Sequence, residues 1–242
     1  MDLTIRPCKS ESSKIQLNYL QQEGIIPVLG KGSSVVLVGR SGSGKSVLLS
    51  NLLTRPEFYG DYFKAENRYL YSPTGDIDTV ANEMKIPKKN RVIKDMIGKL
   101  NTLWNDREQK VKRAGGAHKV EPIVIVLDDL TGNVKLQNSK VFTRLFCAGR
   151  HLGILTFCCV HKISALKRQC RLNSQYIMIF RSSNTEVEVL VKEQRPSMLT
   201  KDQFEELIKY CWKDDYSFMY IDNSKDERFR YRKNLDQVLQ LK

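Results

Sequence analysis

The chain has 242 residues, 41% hydrophobic and 28% charged, which suits one well-buried globular domain and is too short for two of ordinary size. That composition excludes a disordered tail protein, and no apolar run reaches the length needed to cross a bilayer. Forty Lys and Arg against 27 Asp and Glu leave a formal net charge of +13, which points either to a polyanionic partner or to a solvated basic surface.

Residues 1–33 read as a lead-in rather than a domain, with a candidate strand near Leu3 to Arg6. The opening MDLTIRPCKSESSK lacks the apolar core of a signal peptide, so the expectation is a soluble intracellular protein. Residues 34–242 read as one α/β domain, in which 196–242 supply a C-terminal helix and strands that complete the core. The six cysteines, Cys8, Cys147, Cys158, Cys159, Cys170 and Cys211, form no C-x-x-C pair. Buried reduced thiols are expected in place of a metal site or a disulfide framework.

The apolar run Ser34 to Val38 predicts a strand, and it leads into Gly39, Arg40, Ser41, Gly42, Ser43, Gly44, Lys45 and Ser46. This is the G-x-x-x-x-G-K-S spacing of a phosphate-binding loop, flanked by the strand and helix that such a loop requires. Glycines let backbone N–H groups converge on phosphate oxygens, and the following helix N-terminus adds a favourable field. Lys45 would reach the β- and γ-phosphates, and the Ser46 hydroxyl would hold Mg²⁺. The helix should run to about Thr54, because Arg55-Pro56 disfavours continuation. An N-K-x-D guanine-specificity sequence is absent, which favours ATP over GTP.

RYLYS (Arg68 to Ser72) predicts a short strand ended by Pro73-Thr74-Gly75-Asp76. Such a loop lies beside the nucleotide in open α/β sheets, so Thr74 or Asp76 could touch substrate, although turn chemistry explains these residues and is the preferred reading. PKKNR at Pro87 to Arg91 reads as a solvated turn rather than a localisation signal. Arg91 to Arg113 predicts a long amphipathic helix on the stripe Val92, Met96, Leu100 and Leu103, widened by Ile93, Ile97 and Trp104 and stopped by Gly115-Gly116. IVIVLDDL at Ile123 to Leu130 fits a strand buried on both faces with two carboxylates at its carboxyl end. As a Walker B motif, Asp128 helps hold Mg²⁺ and Asp129 polarises the attacking water.

A helix from about Ser139 to Cys147 leads to Gly149-Arg150-His151, and the strand GILTFCCV then delivers His161 at its carboxyl edge. A short basic helix, ISALKRQCR, precedes the strand QYIMIF, which ends at Arg181. This alternation is the signature of a mostly parallel, doubly wound central sheet flanked by helices. EVEVLV (Glu186 to Val191) alternates like a strand, with a helix as the alternative. Thr200 to Gln203 has the form of a capping box, opening a helix with Phe204, Leu207, Ile208 and Cys211 on one face. YSFMYID (Tyr216 to Asp222) predicts a strand. RFRYRK (Arg228 to Lys233) suits either nucleic-acid contact or an edge strand with a charged outer face.

GRSGSGKS, YSPTGD, IVIVLDD, RLFCAGRHLGILTFCCVHK and RQCRLNSQYIMIFR, spanning about Ser34 to Arg181, resemble the genome-packaging ATPases of poxviruses, other large DNA viruses and virophages. These are P-loop motors of the FtsK–HerA superfamily, with a RecA-like fold. The most specific piece is the Arg150-His151 pair before a strand, followed by Arg171-Leu172-Asn173. The resemblance implies a homo-oligomeric ring that hydrolyses ATP with Mg²⁺ and pushes double-stranded DNA into a capsid, in a host-cell cytoplasm or virus factory. It makes Lys45, Asp128 and Asp129 catalytic, and puts His161 at a sensor position where relatives usually carry Gln. Asp129 is one methylene shorter than the Glu common in related motors. Arg150 and Arg171 become the candidates for an arginine finger supplied by a neighbouring subunit, with Arg181 behind them. The basic segments 161–171 and 228–233 become candidate linings of the DNA path. Two further readings stay open: a cellular-type translocase or helicase of the same superfamily, and a nucleotide-binding module with weak hydrolysis.

Overall fold

The short apolar runs become strands because β-branched and aromatic residues pack well on a pleated surface. In chain order they are β1 (Ser34–Val38), β2 (Arg68–Tyr71), β3 (Arg91–Val92), β4 (Ile123–Asp128), β5 (Ile154–Val160), β6 (Tyr176–Phe180), β7 (Phe218–Asp222), β8 (Tyr231–Lys233) and β9 (Gln237–Leu239). The computed structural model describes residues 32–73 and 77–241, within which these strands form one sheet in the order β3-β2-β4-β5-β1-β6-β7-β8-β9. The expected strand near Leu3 to Arg6, Cys8, Thr74 and Asp76 lie outside the described residues. Neighbours from β3 to β6 pair in parallel, and β6 to β9 pair antiparallel.

The helices are α1 (Lys45–Thr54), α2 (Ile77–Glu83), α3 (Met96–Ala114), α4 (Val134–Asn138), α5 (Lys140–Cys147), α6 (Arg168–Asn173), α7 (Asn184–Gln194) and α8 (Lys201–Cys211). Strand alternation divides the core into two layers. Val35, Leu37, Val124, Val126, Leu155 and Phe157 face Leu49, Leu52 and Leu53 of α1. Val36, Val38, Ile125, Leu127 and Cys158 face the other layer, which includes Leu100 of α3, Phe142 of α5, Leu190 of α7 and Phe204 of α8. Among the described residues, no helix is long and apolar enough to cross a membrane.

Several sequence expectations change in the structure. The helix expected from Arg91 begins at Met96, because Arg91 and Val92 pair with Leu70 and Tyr71, and Asp95 then caps α3 by accepting from Gly98 N at 3.2 Å. Ile93 therefore leaves the apolar stripe and is exposed. EVEVLV is helical within α7, not a strand. Glu186, Leu190 and Gln194 recur every four residues as its buried face, and Glu186 accepts from Ser164 N and Oγ at 3.0 and 2.6 Å. RFRYRK does not form a sheet edge, because β9 covers β8. The Tyr231 ring packs on Phe204 with centroids 5.6 Å apart, and its hydroxyl donates to Gln194 O at 2.5 Å. That ring is fully buried, so it offers no face for stacking on a base. The capping box at Thr200 is formed as expected, and Cys158, Cys159, Cys170 and Cys211 are free and buried.

Candidate active site

Parallel pairing brings the ends of β1, β4 and β5 to one edge. Val38 lies opposite Val160, and Asp128 lies opposite Cys159, so the residues leaving these strands emerge side by side. In open α/β sheets this carboxyl edge is where ligands bind. The phosphate loop leaves β1 there, with Gly39 N donating to Val160 O at 3.1 Å. A Cβ on Gly39 would stand 2.4 Å from Ser43 Oγ, so the turn has no space for a larger residue. Gly44 has φ +97°, a left-handed conformation that turns the chain into α1 without the strain a side chain would bring.

Lys45 opens α1, and its ammonium curls back over the loop, donating to Gly39 O at 2.5 Å and Arg40 O at 3.0 Å. Burial lowers its pKa, an effect opposed by Cys159, Asp128 and Asp129. Ser43 Oγ is buried and has no hydrogen-bond partner among the described residues. An orphaned hydroxyl inside a glycine cradle, beside a cation, is chemistry that a phosphate oxygen satisfies.

Asp128 continues the alternation of Val124 and Val126, so its carboxylate projects to the α1 layer, toward Lys45. Burial raises its pKa, the neighbouring Asp129 raises it further, and Lys45 opposes both. The Cys159 thiol, hydrogen-bonded to Asp128, is held protonated by burial and then by that carboxylate. Asp129 has φ +48°, a strained backbone for a non-glycine residue. Its Oδ1 lies 3.0 Å from His161 Nε2. A cleft of about 800 Å³ is lined by Ser41 to Ser46, Asp128, Asp129, Cys159 and His161. Lys45, Ser46, Asp128, Asp129 and His161 are thus brought together.

The arginines lie elsewhere. Arg150 is exposed in the helical turn Gly149–Leu152 that precedes β5, at the amino edge of the sheet. Its Nε faces His151 Nε2 at 3.5 Å. Arg171 lies in α6, which also abuts the amino edge: Asn173 O accepts from Ser34 Oγ, at the start of β1, at 3.0 Å. Its guanidinium makes a two-pronged pair with Glu193, Nε to Oε2 at 2.8 Å and Nη2 to Oε1 at 2.6 Å, and also donates to Leu166 O. The two side chains are 11% and 5% exposed, so this is a buried structural pair. Arg181 Nη2 donates to Trp212 O and, at 3.3 Å, to Lys213 O.

Sequence reasoning missed Glu193, Cys159 and Tyr216 as neighbours of these groups. Glu193 lies just past the EVEVLV stretch, and the helical α7 turns it toward α6. Cys159 was counted as a core thiol, and its contact with Asp128 comes from strand register, for which the sequence carries no local signal. Of the basic stretch 161–171, Lys162, Lys167 and Arg168 are exposed. Along 228–233, Arg228 pairs with Asp226 at 3.0 Å, and Lys233 with Asp214.

Comparison with known proteins places this architecture. "Uncharacterized protein 015R" of Frog virus 3 (isolate Goorha) is 24% identical over 200 residues, covering 80% of this chain and 58% of the relative. The chain thus spans less than two thirds of that relative's length. Among solved structures, the genome packaging NTPase B204 from Sulfolobus turreted icosahedral virus 2, in complex with AMP, superposes with a TM-score of 0.58. It is 16% identical, with 85% of this chain and 98% of that one covered. The cytoplasmic domain of the Thermomonospora curvata Type VII secretion ATPase EccC gives a TM-score of 0.54 at 15% identity, covering 87% of this chain and 25% of that one. At these identities the likeness is one of fold, a P-loop ATPase fold with a mostly parallel sheet. The model of the family described as poxvirus A32 protein matches residues 28–225, a span that contains β1 to β7 and the whole cleft, and the chain belongs to that family.

Proposed function

We propose that this chain is an ATP-hydrolysing motor that translocates double-stranded DNA, packaging a viral genome into a capsid. The observation that carries the reading is one cleft lined by the phosphate loop, the acidic pair and His161. Membership of the A32 family and a fold shared with a viral genome packaging NTPase support it. The backbone N–H groups around Gly42 to Lys45 and the Lys45 ammonium would hold the β- and γ-phosphates. Ser46 and Asp128 are hard oxygen donors suited to Mg²⁺, and the raised pKa of Asp128 reflects a buried charge that a cation relieves. Bound there, Mg²⁺ would neutralise charge on the transferring phosphoryl. Asp129 is the residue to orient the attacking water, and His161 fixes its carboxylate from β5.

Arg150 is the better finger. Both arginine candidates sit at the amino edge, and β5 alone separates that edge from the cleft by roughly 20 Å of strand. Neither reaches the nucleotide of its own chain, so a finger role requires a neighbouring subunit in a ring. Arg171 is engaged by Glu193 within its own chain, whereas Arg150 is exposed. Exposed Lys162 and Lys167, with Arg168, which also contacts Glu193 at 3.5 Å, suit contact with DNA phosphates, which a translocase grips without reading sequence. The protein would act as a soluble factor in the host cytoplasm or virus factory.

The contact between His161 and Asp129 favours one second reading, a nucleotide-binding module with weak hydrolysis, because it engages the carboxylate that would polarise water. ATP turnover with and without double-stranded DNA separates the two. The motor reading expects stimulation by DNA, abolished in Lys45→Ala, and recovery of turnover when Arg150→Ala subunits are mixed with Asp129→Ala subunits. Turnover that ignores DNA would overturn translocation, and no recovery in mixtures would overturn a finger in trans.

A further inference from the structure

Tyr216 lies in the loop between α8 and β7 with φ +59°, a conformation that bulky side chains rarely adopt. The loop is tied down around it. Ser217 Oγ donates to Asp214 O at 2.6 Å, Phe218 N donates to Asn234 Oδ1 at 3.1 Å, and Arg181 reaches the carbonyls of Trp212 and Lys213. Within this fixed loop the Tyr216 residue remains 73% exposed. A lone exposed tyrosine is ordinary on a protein surface. A tyrosine held in a strained backbone with its ring in a cleft is not, because such strain persists only where the surroundings enforce it.

The ring stands beside the phosphate loop. A Cβ on Gly44 would meet Tyr216 Cδ1 at 3.4 Å and Phe180 Cε1 at 3.7 Å. Behind it, Phe180 and Phe218 are buried with ring centroids 5.1 Å apart. Val47 (62% exposed) and Asn51 of α1 line the same cleft. From Lys45 to Asn51 the helix rises roughly 9 Å, so the cleft extends beyond the phosphate loop along α1 and has room for more than the phosphates. The cleft therefore has an exposed aromatic ring beside the phosphate cradle and an exposed aliphatic side chain, Val47, on the first turn of α1.

We propose that Tyr216 is the nucleobase platform of this site, its ring stacking on the purine of the bound nucleotide. This rests on the ATP reading above and deepens it, by naming what holds the end of the nucleotide away from the phosphates. Stacking reads a π-face and gains with its area, so the platform favours purine over pyrimidine triphosphates.

The test is calorimetric binding of ATP and of inorganic triphosphate to the full chain without DNA. Wild type should bind ATP more tightly than triphosphate. Tyr216→Ala and Tyr216→Gly should weaken ATP by roughly 10- to 100-fold, the scale of one lost base–aromatic stack. Tyr216→Phe should keep ATP affinity, and triphosphate affinity should be the same in all four proteins. Tyr216→Gly accepts φ +59° without strain, so it removes the ring while preserving the loop should the alanine variant fail to fold. Unchanged ATP affinity in Tyr216→Gly, or an equal loss of triphosphate affinity, overturns the platform alone. A wild type that binds neither ligand overturns the phosphate-loop reading, and the platform with it.

Discussion

The parallel part of the sheet and its antiparallel meander carry similar sequence materials and use them in opposite ways. Both contain short apolar strands flanked by basic residues. In β1, β4 and β5 every strand points the same way, so Gly39 to Ser46, Asp128, Asp129 and His161 collect at one edge. In β7, β8 and β9 direction reverses at each turn, and the charges that flank these strands fall at both edges. There Lys233 pairs with Asp214 and Arg228 with Asp226, while Arg232 donates to Leu235 O at 2.8 Å. Parallel topology gathers its polar groups at one edge, where they meet one another around a cleft, whereas the meander pairs charges such as Lys233 and Arg228 with neighbouring acids. Its contribution to the cleft is Tyr216, in the loop that enters β7, and Phe218 at the start of that strand.

The largest expected effect tests that division directly. Lys45→Ala should lower nucleotide turnover by about 10³-fold, the scale of removing one preorganised donor from a developing charge. Arg228→Ala, in the meander, should leave turnover and its stimulation by DNA unchanged. A loss in Arg228→Ala would return the 228–233 segment to the DNA path and break the comparison.

Next in size is Arg171→Ala, which removes the two-pronged partner of the buried Glu193 carboxylate and leaves it a single contact with Arg168 at 3.5 Å; it should cost about 3 kcal/mol in urea unfolding. Breaking the exposed Arg228–Asp226 pair should cost about 0–1 kcal/mol in the same measurement. Equal costs would mean that exposure does not distinguish the two pairs.

Buried thiols from both regions give a third test. Burial pushes the thiol of Cys170, on α6, from 9.0 to about 11, and that of Cys211, at the end of α8, from 9.0 to about 12. In each case the folded state holds its proton more tightly than the unfolded chain. Stability should therefore be full below pH 9 and fall above it, by up to ~1.4 kcal/mol per pH unit for each thiol, until the folded thiol itself ionises. Cys170→Ala should remove the share lost between pH 9 and 11, seen in denaturation midpoints across that range.

The smallest effect is Thr200→Ala, which removes the side-chain acceptor for Gln203 N and should cost about 1 kcal/mol. Because α8 packs Phe204 on Tyr231, the loss should appear as earlier opening of β8 and β9 in hydrogen exchange, with turnover intact.

The elements that govern the site were written locally. Strand, glycine turn, Lys45-Ser46 and helix form a contiguous pattern, and IVIVLDD is a continuous apolar run with its acids attached, so both were legible. The capping box at Thr200 was legible for the same reason. EVEVLV misled because β-branched alternation also fits a helix whose buried face is set at Glu186, Leu190 and Gln194 by neighbours distant in sequence. Along the chain Arg150 and Arg171 both remain finger candidates, with nothing local to favour Arg150. Only the packing of α7 on α6 spends Arg171 on Glu193.

By itself, the sequence determined the phosphate loop, the acidic strand, the α/β alternation and the family, because each depends on residues adjacent in the chain. Tertiary structure alone decided which groups face one another across the cleft: Asp128 with Cys159, Asp129 with His161, Tyr216 with Gly44. Those meetings depend on strand order and register, which are set by how the whole sheet buries its two faces rather than by any local run of residues.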